Sequence, residues 1–302
     1  MNAIEIRDLT KRYGNLTAVN SLSLNIKQGE FFAMLGSNGA GKTTTIKMLS
    51  CLTEPTSGDA LMLGNSLRKQ ADKVKDIINL SPQETAVAPK LTVKENLMMI
   101  ARLHGSSKQE AREKADKIME TFELTDRKND RAKQLSGGWQ RKLSIAMALI
   151  SNPKILFLDE PTIGLDVRAR RELWGTMEKL KGKLTLILTT HYLEEAENAG
   201  YVVIMDSGKI AAQGTPVELK SKYVSDMLTI YHKGSTMADI ERILKSKNMK
   251  YTFTKETVKI PVKSTFAALP IVNELKDYIF DFEVQKGKMD DLFVAVTGKE
   301  IK

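Results

Sequence analysis

One cysteine in 302 residues, Cys51, leaves no internal disulfide to form, so the fold must hold by packing. That usage fits a reducing compartment. No stretch approaches the roughly 18 consecutive apolar residues that span a bilayer. The N-terminus enters an alternating segment, Ile4-Glu5-Ile6, with no signal-peptide core. These absences predict a cytosolic chain that meets a membrane only through a partner. Sustained heptads are also missing, which excludes a long coiled coil. What is present is a 42% hydrophobic content, enough for a substantial core in one or two domains. Lysine and arginine number 46 against 37 acids, a net charge of +9. That surplus suits an anionic surface, nucleic acid or the inner face of a membrane, and equally suits a solvated lysine-rich exterior.

The strongest signal runs from Phe31 to Ser50. An apolar run, Phe31-Phe32-Ala33-Met34-Leu35, feeds the loop Gly36-Ser37-Asn38-Gly39-Ala40-Gly41-Lys42-Thr43, and a helical pattern follows through Ile46, Met48 and Leu49. Strand, GxxxxGK[ST] loop and helix together form a phosphate-binding P-loop. Glycines at 36, 39 and 41 are expected to adopt positive φ and turn successive N–H groups inward, while the helix N-terminus adds its partial positive charge. Lys42 then reaches the β- and γ-phosphates, and the Thr43 hydroxyl is set to hold a magnesium ion.

Around this loop, residues 3–9 and 18–26 alternate as strands, with a turn at Tyr13-Gly14 that sets an aromatic where a base can stack. Ala60 to Leu63 reads as a short strand, and Ile77 to Leu80 as a buried one ending before Gln83. Gln83 thus leaves the carboxyl edge of the sheet, where open α/β sheets bind ligands. Residues 92–150 turn helical: Thr92 with Glu95 and Ser107 with Glu110 are spaced as capping boxes. Ser136-Gly137-Gly138 precedes an apolar helix and makes a second anion site at the positive end of a helix dipole. Ile155 to Leu158 is a fully apolar strand ending in Asp159-Glu160. In a P-loop chain the first acid helps hold magnesium and the second orients the attacking water. A further strand, Thr185 to Leu188, ends in Thr189-Thr190-His191, which puts one of only 3 histidines where a donor to a γ-phosphate is needed.

These elements, in this order and spacing, resemble the ATP-binding subunit of an ABC transporter over roughly residues 1–223. The loop at 36–43, Gln83, Ser136-Gly137-Gly138, Asp159-Glu160, Asp166 and His191 match that family's Walker A, Q-loop, signature, Walker B, D-loop and H-loop. The resemblance implies an α/β fold: a P-loop cassette with a mixed sheet core, an antiparallel β subdomain and a helical insertion at about 84–150. It implies ATP and Mg2+ as cofactors. The ATP-binding set would be Tyr13, stacked on adenine, with Gly36, Ser37, Asn38, Gly39, Ala40, Gly41, Lys42, Thr43 and Thr44. Thr43, Gln83 and Asp159 would hold the metal, and Glu160, His191 and Lys42 would act in catalysis. Ser136, Gly137 and Gly138 would serve a second copy's nucleotide, with Asp166 at the interface. One departure stands out: the family's glutamine after the two glycines is Trp139 here, with Gln140 following.

Beyond Tyr223 the pattern restarts as β-α-β-β-α-β over 224–302, a small α+β domain of ferredoxin-like order. The closing Met289-Asp290-Asp291-Leu292-Phe293 and Thr297-Gly298 resemble the ending of ATPase subunits in exporters of the daunorubicin-resistance type. The expected function is an ATP-hydrolysing motor for a separate transmembrane permease, paired with a second ATPase subunit as a homodimer or heterodimer. The expected site of action is the inner face of the cell membrane. A cytosolic ABC protein acting on ribosomes or nucleic acid is the alternative, but such factors carry two cassettes in one chain and this has one, so no nucleic-acid partner is expected. A non-enzymatic scaffold is disfavoured by the complete set Lys42, Asp159, Glu160 and His191.

Overall fold

The chain opens with two long strands, β1 (Asn2–Tyr13) and β2 (Leu16–Lys27), paired antiparallel across a turn at Gly14-Asn15. Both run further than the alternation alone indicates, because the pairing continues through Tyr13 and Leu16 at the turn. Then come β3 (Phe31–Leu35), the phosphate loop and α1 (Lys42–Leu49). β4 (Ser57–Met62) pairs with β1, and β5 (Asn65–Ser66) with β4, which closes a four-stranded antiparallel sheet in the order β2-β1-β4-β5. A short helix absent from the sequence reading, α2 (Ala71–Ile77), precedes β6 (Ile78–Ser81). Only Val74 of α2 is buried, so it carries no apolar stripe by which to be recognised.

The helical insertion holds α3 (Val93–Leu103), α4 (Lys108–Thr121) and α5 (Gly137–Leu149). Both expected capping boxes form: Thr92 and Ser107 each accept from the backbone N–H of the glutamate three residues on, and each glutamate accepts in return. Such a cap contributes about 1 kcal/mol. β7 (Ile155–Asp159), α6 (Val167–Glu178), β8 (Thr185–Thr190), α7 (Leu193–Glu197), β9 (Tyr201–Asp206) and β10 (Lys209–Gly214) complete the core. Its six-stranded sheet runs β10-β9-β3-β8-β7-β6, with parallel pairing from β9 through to β6. Every residue of β3, β7 and β8 is buried, the signature of a parallel sheet covered on both faces. Parallel order also brings the carboxyl ends of β3, β7 and β8 to one edge, so Gly36, Glu160 and His191 emerge side by side.

The computed structural model describes residues 1–299 and separates into two compact units, Met1–Gln213 and a second from Gly214 onward. The division comes earlier than the boundary expected at Tyr223. The reason is α8 (Pro216–Tyr223), whose Leu219 is buried and which packs on α11 (Met289–Thr297) of the second unit. That unit continues with β11 (Asp226–His232), α9 (Met237–Ser246), β12 (Thr252–Phe253), β13 (Thr257–Val262), α10 (Thr265–Leu275) and β14 (Ile279–Gln285). Its sheet order, β12-β13-β11-β14, and antiparallel pairing give the split-βαβ layout. α9 and α10 cover one face through Ile240, Leu244, Val272 and Leu275, packed on Leu228, Ile230, Val258 and Ile260. No helix among the described residues is long and apolar enough to cross a membrane.

Candidate active site

The phosphate loop turns as expected at Gly39 and Gly41, with φ of 81° and 103°. Gly36 does so for another reason. Its φ lies outside the left-handed region, and a Cβ there would stand 2.6 Å from the Met205 carbonyl oxygen, so close approach to β9 demands the glycine. Lys42 folds back over the loop, its Nζ donating to the carbonyls of Gly36 at 2.8 Å and Ser37 at 3.2 Å. The same ammonium is 3.4 Å from Glu160 Oε1. Beside it a cleft of about 760 Å³ joins Tyr13, the loop from Asn38 to Thr44, Gln83 and Glu160. Tyr13 is 48% exposed, and the Lys11 ammonium lies 5.0 Å from its ring centre.

At the end of β7, Asp159 Oδ1 accepts from Thr43 Oγ1 at 3.1 Å and from Thr189 Oγ1 at 2.5 Å. One carboxylate and hydroxyl oxygens are hard donors, and no group of three or more His, Cys, Asp or Glu among the described residues could hold a metal alone. That donor set fits magnesium, which is held through one or two carboxylates and completed by substrate phosphates.

Glu160 is 6% exposed and holds a φ of 46°, a left-handed conformation that costs a non-glycine residue about 1–3 kcal/mol. Its N–H donates to Thr189 Oγ1 at 3.0 Å, and its Oε2 stands 2.7 Å from His191 Nδ1. The carboxylate is thus gripped between Lys42 and His191 at the rim of the cleft. The His191 ring in turn packs on Tyr192, with centres 4.2 Å apart. Thr189, which supports both acids, was not singled out from the sequence; a hydroxyl inside an apolar strand, one residue from its end, is the signal that marks it.

Ser136, Gly137, Gly138 and Asp166 stand apart from this cleft and are not among its lining residues. Ser136 is the N-cap of α5, exposed, with its hydroxyl not used in capping. A Cβ on Gly138 would meet Ala169 of α6 at 3.0 Å, whereas one on Gly137 would meet nothing of this chain within 4 Å. Trp139 turns toward the insertion, its ring lying under the Arg127 guanidinium at 4.8 Å and the Lys142 ammonium at 4.5 Å. Gln140 Nε2 meanwhile donates to the carbonyls of Ala132 and Leu135, tying down the preceding loop. Asp166 caps α6, accepting from the Ala169 N–H at 2.9 Å.

A phosphate loop, an acid-tipped strand and a glycine-headed helix on a separate insertion define a P-loop ATPase of the ATP-binding cassette class. The ABC transporter family model matches residues 19–163. The chain is 36% identical over 306 residues to a daunorubicin/doxorubicin resistance ATP-binding protein of Streptomyces peucetius, covering 98% of this chain and 92% of that one. It is 34% identical over 308 residues to a Nod factor export ATP-binding protein of Burkholderia orbicola, covering 99% and 98%. Among solved structures, a dimeric ATP-binding cassette in a post-hydrolysis state with ADP and Pi superposes with a TM-score of 0.64 at 27% identity, over 70% of this chain and 98% of that one. The chain belongs to the ABC transporter family, as an ATP-binding subunit. It is an ATPase that serves as the motor for transport by a separate membrane subunit.

Proposed function

We propose that this subunit drives export, hydrolysing ATP at a site built from its own phosphate loop and the Ser136-Gly137-Gly138 helix of a second copy. The observation that carries the reading is Glu160, buried and strained, with one carboxylate oxygen 3.4 Å from Lys42 Nζ and the other 2.7 Å from His191 Nδ1. In that grip Glu160 accepts the proton of the attacking water, and His191 orients water and γ-phosphate. Lys42 and the loop N–H groups, released toward phosphate, stabilise the developing charge on its oxygens. Magnesium, held by Thr43 and Asp159 with Gln83 alongside, would supply charge neutralisation of the β- and γ-phosphates. Tyr13 offers its exposed ring to the adenine.

The second copy is supported by Gly137, which no contact within this chain requires to be glycine. Two chains related by a twofold, each presenting its signature helix to the other's phosphate loop, would meet across the nucleotides in an isologous interface that also takes in Asp166. Similarity to a relative named for Nod factor export favours the outward direction. A permease subunit would hold the pair at the inner face of the membrane, and the second unit, from Gly214, would be an accessory domain. Sedimentation tests the composite site. Glu160→Gln with magnesium and ATP should shift to dimer, and adding Ser136→Arg should abolish the shift while each monomer still binds ATP. Equal dimer content in the two variants would remove the signature from the interface.

A further inference from the structure

Arg141 is a buried charge to which the hydrolytic scheme assigns nothing. It lies on α5, within two turns of Ser136, and is 3% exposed. Its guanidinium donates only to backbone: Nε to the Pro161 carbonyl at 2.7 Å, Nη2 to that of Asp159 at 2.8 Å, and Nη1 to those of Pro82 and, at 3.2 Å, Gln83. Two of these acceptors flank Glu160 in the chain, and the other two belong to Gln83 and its predecessor. Burial pulls the group down to about 10, against the pull of Asp159, Glu160 and Glu195 nearby, so it stays charged at neutral pH.

The placement answers a question that Glu160 raises. A non-glycine residue persists in the left-handed region only where its surroundings over-determine it. Here the Glu160 N–H is held by Thr189, while the carbonyls on either side are both held by Arg141. A planar fork with five donors holds these four carbonyls, on two separate segments, in one fixed geometry; an ammonium, with three donors on a flexible stem, has too few to hold all four. The neighbouring Lys142 faces elsewhere, between Glu123 at 3.6 Å and Glu172 at 3.5 Å.

We propose that Arg141 is a positioning residue through which the signature helix sets the backbone of Glu160 and Gln83, and so the reach of the general base. The inference rests on the reading of Glu160 as that base and of Ser136 as serving a second copy's nucleotide. Displacement of α5 when Ser136 meets that nucleotide is then passed directly to the catalytic peptide of its own chain. Arg141→Lys keeps the charge and loses the fork; Arg141→Gln loses both.

In the full chain, both variants should bind ATP as the parent does and keep the magnesium-dependent dimer when combined with Glu160→Gln. Their kcat should fall by ~10²-fold, the scale of a misplacement of about 1 Å, with KM unchanged. Because Thr189 holds the same peptide, the kcat losses of Arg141→Lys and Thr189→Val should combine to less than their product. Unchanged kcat, or a loss of ATP affinity and melting temperature in step with kcat, would overturn the proposal, as would losses that simply multiply. If Arg141→Gln fails to fold, the lysine variant and the double-variant cycle still decide it. Failure of Glu160→Gln to dimerise, with kcat still lost alone in Arg141→Lys, sinks the composite site and leaves the positioning role standing. The converse result sinks the positioning role alone.

Discussion

The parallel core sheet of the first unit and the antiparallel sheet of the second are built on opposite principles. In the first unit β3, β7 and β8 are buried at every residue. In the second, β13 alternates, with Val258, Ile260 and Val262 inward and Lys259 and Pro261 outward. A sheet covered on both faces has nowhere to put polar side chains except its strand ends, and there they sit in a medium that strengthens charge interactions. Lys42, Asp159, Glu160, Thr189 and Arg141 are all buried in the first unit, whereas among the described residues the only polar side chains the second buries are Thr229 and His232. The difference teaches where to look for chemistry: at the ends of strands that cannot afford an exposed face.

Experiments can press on that contrast. The greatest effect is expected from Glu160→Gln, which keeps shape and removes the proposed proton acceptor: steady-state ATP turnover should fall ~10²-fold or more while ATP binding persists. Near-normal turnover would mean the base is another group. Next is Ile230→Ala, which opens the core of the second unit and should cost it about 3 kcal/mol in denaturant unfolding. ATP affinity should not move; if it does, the units are energetically one. Thr92→Ala, removing a cap of the helical insertion, should cost about 1 kcal/mol in the first unit alone, read from the same unfolding curves. Least of all should happen to ATP binding when the chain is ended at Thr215, since β10 then remains complete. Ending it at Tyr223 instead leaves the buried side of Leu219 without α11, and the shorter chain should be the more soluble of the two.

Much of the site was legible because its signals are local. A glycine-rich loop between a strand and a helix, a pair of acids closing an apolar run, and caps spaced three residues from their glutamates all act within one or two turns of chain. Gly36 was recognised for the right motif and the wrong reason, since its steric demand comes from Met205, which is distant in sequence. Arg141 was illegible for the same cause: its acceptors are carbonyls 18, 20, 58 and 59 residues away, and any residue supplies a carbonyl. The boundary at Gln213 likewise depends on α8 packing on α11, a contact that no local pattern announces. Trp139 could be flagged as a departure, but its two cationic neighbours, Lys142 on the same helix and Arg127 at the end of a 3-10 turn between α4 and α5, emerged only with the fold.

From Arg141 to Leu149, α5 offers water no side: nine consecutive residues are buried, while α4 buries only Ala111, Ala115 and Met119. Amide hydrogens of such a helix cannot trade with deuterium by fraying of an outer face; they must wait for a subglobal opening. Deuterium uptake along 141–149 therefore serves as an internal clock for the ATPase unit, slow for as long as the unit stays closed and quickening only when the whole package around this helix comes apart.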